Sequence, residues 1–313
     1  MLRLESVSKI YRVGTFGGKE LHAVNEVSFS IGEGEVVSLI GESGSGKSTI
    51  GKMILRLLSI SSGKILFEGK DISLIKNDEM KEYYRRVQGV FQDPYSSYNP
   101  IFKADRIFQM IHNEFYPELD PATWKEKVNA ALRDVGLNPE HVLNKFPHQL
   151  SGGQLQRFLI ARVLLLDIKF LVADEIISML DASVRIDVLN LLAELKQRGL
   201  SVLFITHDLS LANYISDVAI ILYHGCITEK GLTGKIFENP LHPYTQMLIS
   251  SVPRLDHKWD TPINAEINKA PTGIPQGCVY SDRCPLVFEK CRERPQLVEI
   301  EPNHFVACWK VNQ

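Results

Sequence analysis

The run GESGSGKST at residues 41–49 has the spacing G-x-x-x-x-G-K-[ST] between a short apolar strand and an apolar-faced helix. Glycines at this spacing (Gly41, Gly44 and Gly46, with Ser43 among them) let successive backbone N–H groups turn inward on an anion, and the helix that follows adds a favourable dipole. Lys47 is then placed to bridge the β- and γ-phosphates of a nucleotide, Ser48 to hold Mg²⁺, and Thr49 to close the motif. A glycine-rich turn formed for steric reasons alone is the bland alternative, and the flanking strand and helix weigh against it.

A second chemical feature is LVADEIISMLD at residues 171–181, where an apolar strand ends in Asp174 and Glu175 and Asp181 follows. A carboxylate at the mouth of a buried strand facing a phosphate loop suits a water-mediated Mg²⁺ ligand, which is the role expected of Asp174. Glu175 would polarise the attacking water, as a general base or by positioning it. Taken alone, such a pair is an ordinary solvated strand end; the loop upstream makes the catalytic reading the stronger one.

These groups need a scaffold, and the pattern supplies an α/β one. Strand-like and helix-like segments alternate to about residue 240. Residues 36–40 read as a buried strand, and Ile50, Met53, Ile54, Leu57 and Leu58 as one helix face. Val184, Val188, Leu191, Leu192 and Leu195 make another face, expected to end at Gly199. Residues 201–206 read as a buried strand, and VAIILYHGCIT as a hairpin about His224 and Gly225. From about 95 to 165 the periodicity is mainly helical, with Pro94, Pro100, Pro117, Pro121, Pro139 and Pro147 as breakers, so a helical insertion is expected there. Beyond 240, ENPLHPY, SVPRL, APTGIPQG and ERPQ are proline-rich and the alternation fades. The division expected is 1–240 and a C-terminal extension, 241–313.

The totals exclude some classes. With 35 basic against 37 acidic residues and a net charge of −2, nothing electrostatic points to nucleic acid as a partner. The longest apolar stretch, 158–173, is interrupted by Arg162, Asp167 and Lys169, so no span is expected, and MLRLESVSK has no signal-peptide pattern. The chain is expected in the cytosol. Cys226 stands alone in the hairpin as a packing residue, while Cys278, Cys284, Cys291 and Cys308 follow the spacing C-x₅-C-x₆-C-x₁₆-C. In a reducing compartment such a group favours ligation over disulfides. The close pair usual in structural zinc sites is missing; four thiolates can hold a [4Fe–4S] cluster, and unliganded buried cysteines are the third reading.

At LSGGQLQR, residues 150–157, the chain resembles the ATP-binding cassette (ABC) ATPases. That resemblance implies a P-loop NTPase cassette with a mixed sheet core, an antiparallel N-terminal β part and an inserted helical subdomain. It also implies that Ser151, Gly152, Gly153 and Gln154 contact the ATP held by a partner cassette. Residue by residue, Gln92 in VFQDP resembles the glutamine that senses Mg²⁺ and links the site to a membrane partner. His207 in ITHD resembles the switch histidine on the γ-phosphate, and Tyr11 in KIYRVG the aromatic that stacks on adenine. Asp181 in SMLDAS resembles the aspartate that communicates across the dimer.

FQDPYSSYNP, FPHQLSGGQ, NPLHPYTQMLISSVP and the cysteine-rich tail resemble the ATPase subunits of oligopeptide and dipeptide importers. The VGTFGGKELHAVNEVSF segment is closer to the second of the two ATPases such importers use. The implied partners are a second, different ATPase subunit, two permease subunits and an external binding protein, with this chain peripheral on the cytoplasmic membrane face. The implied cofactors are ATP, Mg²⁺ and, on the four cysteines, a [4Fe–4S] cluster. Ile176 and Ile177 stand where the family usually has Pro-Thr, and Met179 where it usually has Ala, so an active site with altered local packing is expected. Those departures keep an oligosaccharide (cellobiose-type) cargo open as the alternative. A cassette acting on ribosomes or DNA is disfavoured by the single cassette and the balanced charge.

Overall fold

A computed structural model describes residues 1–13, 18–178, 180–251 and 276–311. The chain forms two units: Met1–Gly32, Val36–Leu74 and Phe204–Gln313 make the first, and Glu33–Glu35 with Ile75–Leu203 the second. Met179, the GTFG within VGTFGG, and most of SVPRL and APTGIPQG lie outside the described residues.

The first unit opens with β1 (Leu2–Val13) and β2 (Lys19–Ile31), paired antiparallel. In β2, buried Val27, Phe29 and Ile31 alternate with exposed Glu26, Ser28 and Ser30, the period-two pattern of a half-buried strand. β3 (Val36–Ile40) is buried throughout, as its unbroken apolar run requires. α1 (Lys47–Ile54) follows the glycine-rich loop, then β4 (Ser62–Phe67) and β5 (Lys70–Asp71) complete a sheet of order β2-β1-β4-β5. The helix face expected to reach Leu58 stops early. Ile50, Met53 and Ile54 are buried, but Arg56 turns to φ 54, which ends the helix, and Leu57 is exposed.

The second unit carries α2 (Asn77–Arg86), β6 (Val87–Val90), α3 (Arg106–Phe115), α4 (Pro121–Asp134), α5 (Pro139–Val142) and α6 (Gly152–Leu164). β7 (Phe170–Asp174), parallel to β6, and α7 (Ala182–Gln197) come next, and β8 (Ser201–Thr206) leads back to the first unit. Two of the prolines read as breakers are helix starters. Pro121 and Pro139 occupy first-turn positions behind Asp120 and Asn138, whose side chains accept backbone N–H groups. The helical core packs through stacked Phe108 and Phe158 rings, 4.6 Å apart. Gly199 ends α7 with φ 94, as expected from its position.

The first unit resumes with α8 (Leu209–Ile215), β9 (Val218–Tyr223), β10 (Cys226–Leu232), α9 (Thr233–Glu238), α10 (Pro243–Ser250), β11 (Val298–Glu301) and β12 (His304–Val306). β9 and β10 form the expected hairpin, with His224 at φ 44 and Gly225 at φ 77. Within this unit one sheet runs β11-β12-β10-β9-β3, with β3 and β9 parallel. In the C-terminal region β12 extends this sheet by pairing with β10, Glu229 opposite Val306. Buried Glu229 seals that junction, accepting from Leu241 N (2.8 Å), His242 N (2.9 Å) and His304 Nε2 (2.7 Å).

Candidate nucleotide site

In the first unit, the loop at 41–49 has a shape its glycines allow. A Cβ on Gly41 would lie 2.1 Å from Leu222 O, and one on Gly46, whose φ is 101, would lie 2.4 Å from Ala23 O. Lys47 is buried, and its ammonium donates to Gly41 O (2.7 Å), Glu42 O (2.8 Å) and Ser45 Oγ (3.3 Å). The cation thus holds the loop curved around itself. From the hairpin, Gly225 N donates to Ser45 O at 2.9 Å, and Gly225 O accepts from Asn25 N at 2.8 Å. Glu42 is held twice more: its N–H donates to Tyr244 Oη (3.0 Å), and its carboxylate accepts from Arg283 Nη1 (2.8 Å). Ser43, Gly44 and Ser48 are exposed.

Tyr11 lies on β1 opposite Leu21, partly exposed, with the Lys9 ammonium 5.2 Å from its ring centre. His207 is exposed immediately after β8, and Asp208 behind it caps α8 by accepting from Ser210 N and Leu211 N.

The second unit gathers most of the other candidates. Gln92 is exposed beyond β6, and the segment around it is tied to α6 on both sides. Gln156 Nε2 donates to Phe91 O (3.4 Å), and Tyr95 Oη donates to Leu150 O (3.3 Å). Ser151 caps α6 reciprocally: its Oγ accepts from Gln154 N (3.2 Å) while Gln154 Oε1 accepts from Ser151 N (2.9 Å). Gly152 and Gly153 complete the first turn, and a Cβ on Gly153 would lie 3.5 Å from Leu180, next to exposed Asp181 at the start of α7. The structure therefore brings Gln92, the 151–154 turn and the Asp181 loop into one region of this unit.

Asp174 is buried at the end of β7 and Glu175 is half-buried beside it. Glu175 has φ 50, a left-handed conformation that costs a non-glycine residue about 1–2 kcal/mol. The turn that follows holds it there. Ser178 donates to Glu175 O through both N (3.1 Å) and Oγ (2.9 Å), and Ile176 and Ile177 are both buried beneath. The paired isoleucines thus anchor the turn by burial, at the position where the resemblance leads one to expect a proline's ring constraint. Of the Mg²⁺ candidates, Ser48 in the first unit and Gln92 and Asp174 in the second each carry a side-chain oxygen, the kind of donor this hard cation takes.

Among the four clustered cysteines, Cys291 and Cys308 are buried and Cys278 and Cys284 half-buried. Burial pushes the Cys278 thiol up to about 11, with the other three adding to the effect, and burial raises Cys284 and Cys308 as well. Cys278 N donates to Cys291 O at 2.9 Å. The thiols are neighbours, yet among the described residues no group of three or more His, Cys, Asp or Glu side chains is arranged to hold a metal ion. As placed, the four thiols share no common centre of the kind that a [4Fe–4S] cluster or a zinc ion takes. Cys226 is buried, as expected of a packing residue.

Glu42, Tyr244 and Arg283 were not among the residues expected to matter. Glu42 fills a variable motif position, so the motif carries no signal for it. Tyr244 sits in NPLHPYTQMLISSVP and Arg283 beside Cys284, segments that marked a family resemblance without a role for either residue.

Comparison with known proteins fits this geometry. The ABC transporter family matches residues 24–178, and the oligopeptide/dipeptide transporter C-terminal region matches residues 228–291. A putative peptide import ATP-binding protein of Brucella ovis is 40% identical over 317 residues, covering 100% of this chain and 98% of that protein. The oligopeptide transport ATP-binding protein AppF of Bacillus subtilis is 40% identical, covering 98% and 96% of the two chains, and OppF of Salmonella typhimurium is 38% identical, covering 94% and 89%. Among solved structures, the dimeric ATP-binding cassette MJ0796 in a post-hydrolysis state with ADP and Pi superposes with a TM-score of 0.68 at 28% identity, covering 74% of this chain and 99% of that one. With a complete cassette fold and relatives matched along its whole length, the chain belongs to the ABC transporter family, as an ATPase of the group that carries the oligopeptide/dipeptide transporter C-terminal region.

Proposed function

We propose that this chain is the ATP-hydrolysing subunit of a peptide importer. The observation that carries this reading is the union, in one unit, of a preformed phosphate loop with a C-terminal region of the oligopeptide/dipeptide type. In this reading residues 1–240 are the cassette, with its helical insertion near 95–165, and 241–313 the importer-type extension. The names of the full-length relatives favour peptide over oligosaccharide cargo, and import over work on ribosomes or DNA.

The roles follow from chemistry. Backbone N–H groups of the loop from Ser43 to Thr49, shaped by Gly41, Gly44 and Gly46, bind the phosphates, and Lys47 exchanges its carbonyl partners for phosphate oxygens. Tyr11 stacks on the base. Ser48, Gln92 and Asp174 would hold Mg²⁺, which when bound neutralises charge on the β- and γ-phosphate oxygens. Glu175 polarises the water that attacks the γ-phosphorus, and His207 steadies the γ-phosphate. Ser151, Gly152, Gly153 and Gln154 contact ATP on a partner cassette, and Asp181 communicates across that contact. The partner is a second, different ATPase subunit.

Among the described residues no helix is long and apolar enough to cross a membrane. Transport then requires two permease subunits, fed by an external binding protein, with this chain on their cytoplasmic face. The second unit has a cavity of about 620 Å³ lined by Ile101, Phe102, Trp124 and Phe146, shortly after Gln92 in the chain. This groove, with an aromatic and aliphatic floor and Lys103, Asp105, Arg106 and Lys125 also lining it, suits an amphipathic permease helix. The reading includes a [4Fe–4S] cluster on the neighbouring thiols of Cys278, Cys284, Cys291 and Cys308, as the family resemblance implies. It would require the thiols to lose their protons and turn to a common centre, and iron-free, colourless protein after anaerobic preparation would remove it.

The test is reconstitution with the permeases, the second ATPase and the binding protein. Peptide should stimulate ATP hydrolysis and be taken up, and Glu175→Gln should bind ATP without turnover. Unchanged turnover in that variant would reject Glu175 as the water-activating group; stimulation by sugars instead of peptides would reject the cargo.

A further inference from the structure

We propose that Arg283 and Tyr244 are positioning residues of the phosphate loop, so that the C-terminal region sets the affinity of this chain for ATP. The proposal deepens the ATPase reading and rests on residues 41–49 being the nucleotide loop. Its centre is Glu42. Each polar group of this residue is engaged: N–H to Tyr244 Oη (3.0 Å), C=O from Lys47 Nζ (2.8 Å), and carboxylate from Arg283 Nη1 (2.8 Å). The peptide that Lys47 grips is therefore the one that residues 244 and 283 hold from the other side.

Neither anchor is free to wander. Tyr244 is fully buried, its ring 4.6 Å from Tyr223 and 5.3 Å from Tyr280, and its N–H donates to His242 Nδ1 (3.0 Å). Its hydroxyl is thus presented at a fixed point. The Arg283 guanidinium is held high in pKa by its bond to Glu42, with Tyr223 contributing in the same direction. Arg283 and Glu42 side chains are 22% and 40% exposed, so the pair is screened and its Coulomb energy is modest. Its effect is instead to remove freedom from the loop before nucleotide arrives. A loop already ordered loses less entropy on binding, which appears in affinity rather than in the chemical step. Arg283 and Tyr244 touch neither nucleotide nor water in this account; they act through Glu42.

The experiment measures binding of a fluorescent ATP analogue to the full-length chain, and KM and kcat for ATP in the assembled complex. Arg283→Gln and Glu42→Gln should each weaken binding and raise KM by about three- to tenfold, with kcat at saturating ATP unchanged within about twofold. The double variant should be no weaker than the worse single, because both remove one interaction. Arg283→Lys should recover part of the loss, and Tyr244→Phe should add its own. Unchanged affinity, a loss confined to kcat, or additive effects of the pair would overturn the proposal. Should Arg283→Gln fold poorly, Glu42→Gln severs the same pair from the loop side. Lys47→Ala separates the two readings. Retained nucleotide binding there would reject the loop itself and the proposal with it, whereas lost binding there beside unaffected Glu42→Gln would reject the positioning role alone.

Discussion

His242 gives the C-terminal region a built-in acid sensitivity whose size follows from its surroundings. The ring is buried, its Nδ1 accepts from Tyr244 N at the start of α10, and the backbone N–H of His242 donates to Glu229. Burial holds its pKa down to about 4, against 6.5 in an exposed histidine. Protonation would turn the accepting Nδ1 into a donor aimed at another N–H. Because the folded value lies below the unfolded one, the unfolded chain takes up the proton first as pH falls. The stabilisation is thus complete above pH ~6.5 and lost progressively down to pH ~4. At about 1.4 kcal/mol per pH unit over a window of about 2.5 units, the loss is about 3.5 kcal/mol. His242→Asn keeps an acceptor at the helix start and removes the titration. We expect it to cost about 1–2 kcal/mol at pH 7.5 through lost ring packing, and to flatten the acid limb. The assay is urea unfolding of the full-length chain between pH 7.5 and 5, with exchange of the Tyr244 amide as the local reading. Wild-type and variant stability curves that run parallel across this window would refute the reasoning.

Ile177→Ala should lower stability by about 2–4 kcal/mol, since it empties a buried site beneath the Glu175 turn, and should reduce ATP turnover more than ATP binding. Urea unfolding and steady-state kinetics on the reconstituted complex check both, and unaltered turnover would show that the turn does not depend on this side chain. Gly46→Ala should abolish nucleotide binding, because its Cβ would lie 2.4 Å from Ala23 O at a φ of 101; equilibrium binding of an ATP analogue measures it.

Much of the fold was legible because its signals are local. The buried run Val36–Ile40, the loop after it, the strand ending at Asp174 and the hairpin at His224 and Gly225 are each written within about a dozen residues. The same holds for the Ser151 cap, whose two partners are three positions apart. Where the pattern misled, a backbone event cut across the period. α1 ends at Ile54 because Arg56 adopts φ 54, although Leu57 and Leu58 keep the apolar spacing. Pro121 and Pro139 start helices because an Asp or Asn precedes each, so the same residue that breaks a helix interior opens one here.

From the sequence alone came the chain's membership of the ABC transporter family and the proposal of which groups bind phosphate, hold Mg²⁺ and activate water, since motif order and residue types point to that chemistry. Only the tertiary structure decided what holds them in shape. Glu42 meets Arg283 across 241 residues of chain, and Glu229 meets His304 across 75. It also set burial of Ile176 and Ile177 in place of a proline constraint, and kept the four thiols neighbouring but not convergent. Contacts of this kind depend on how distant strands pair and pack, and no local period encodes a partner so far away.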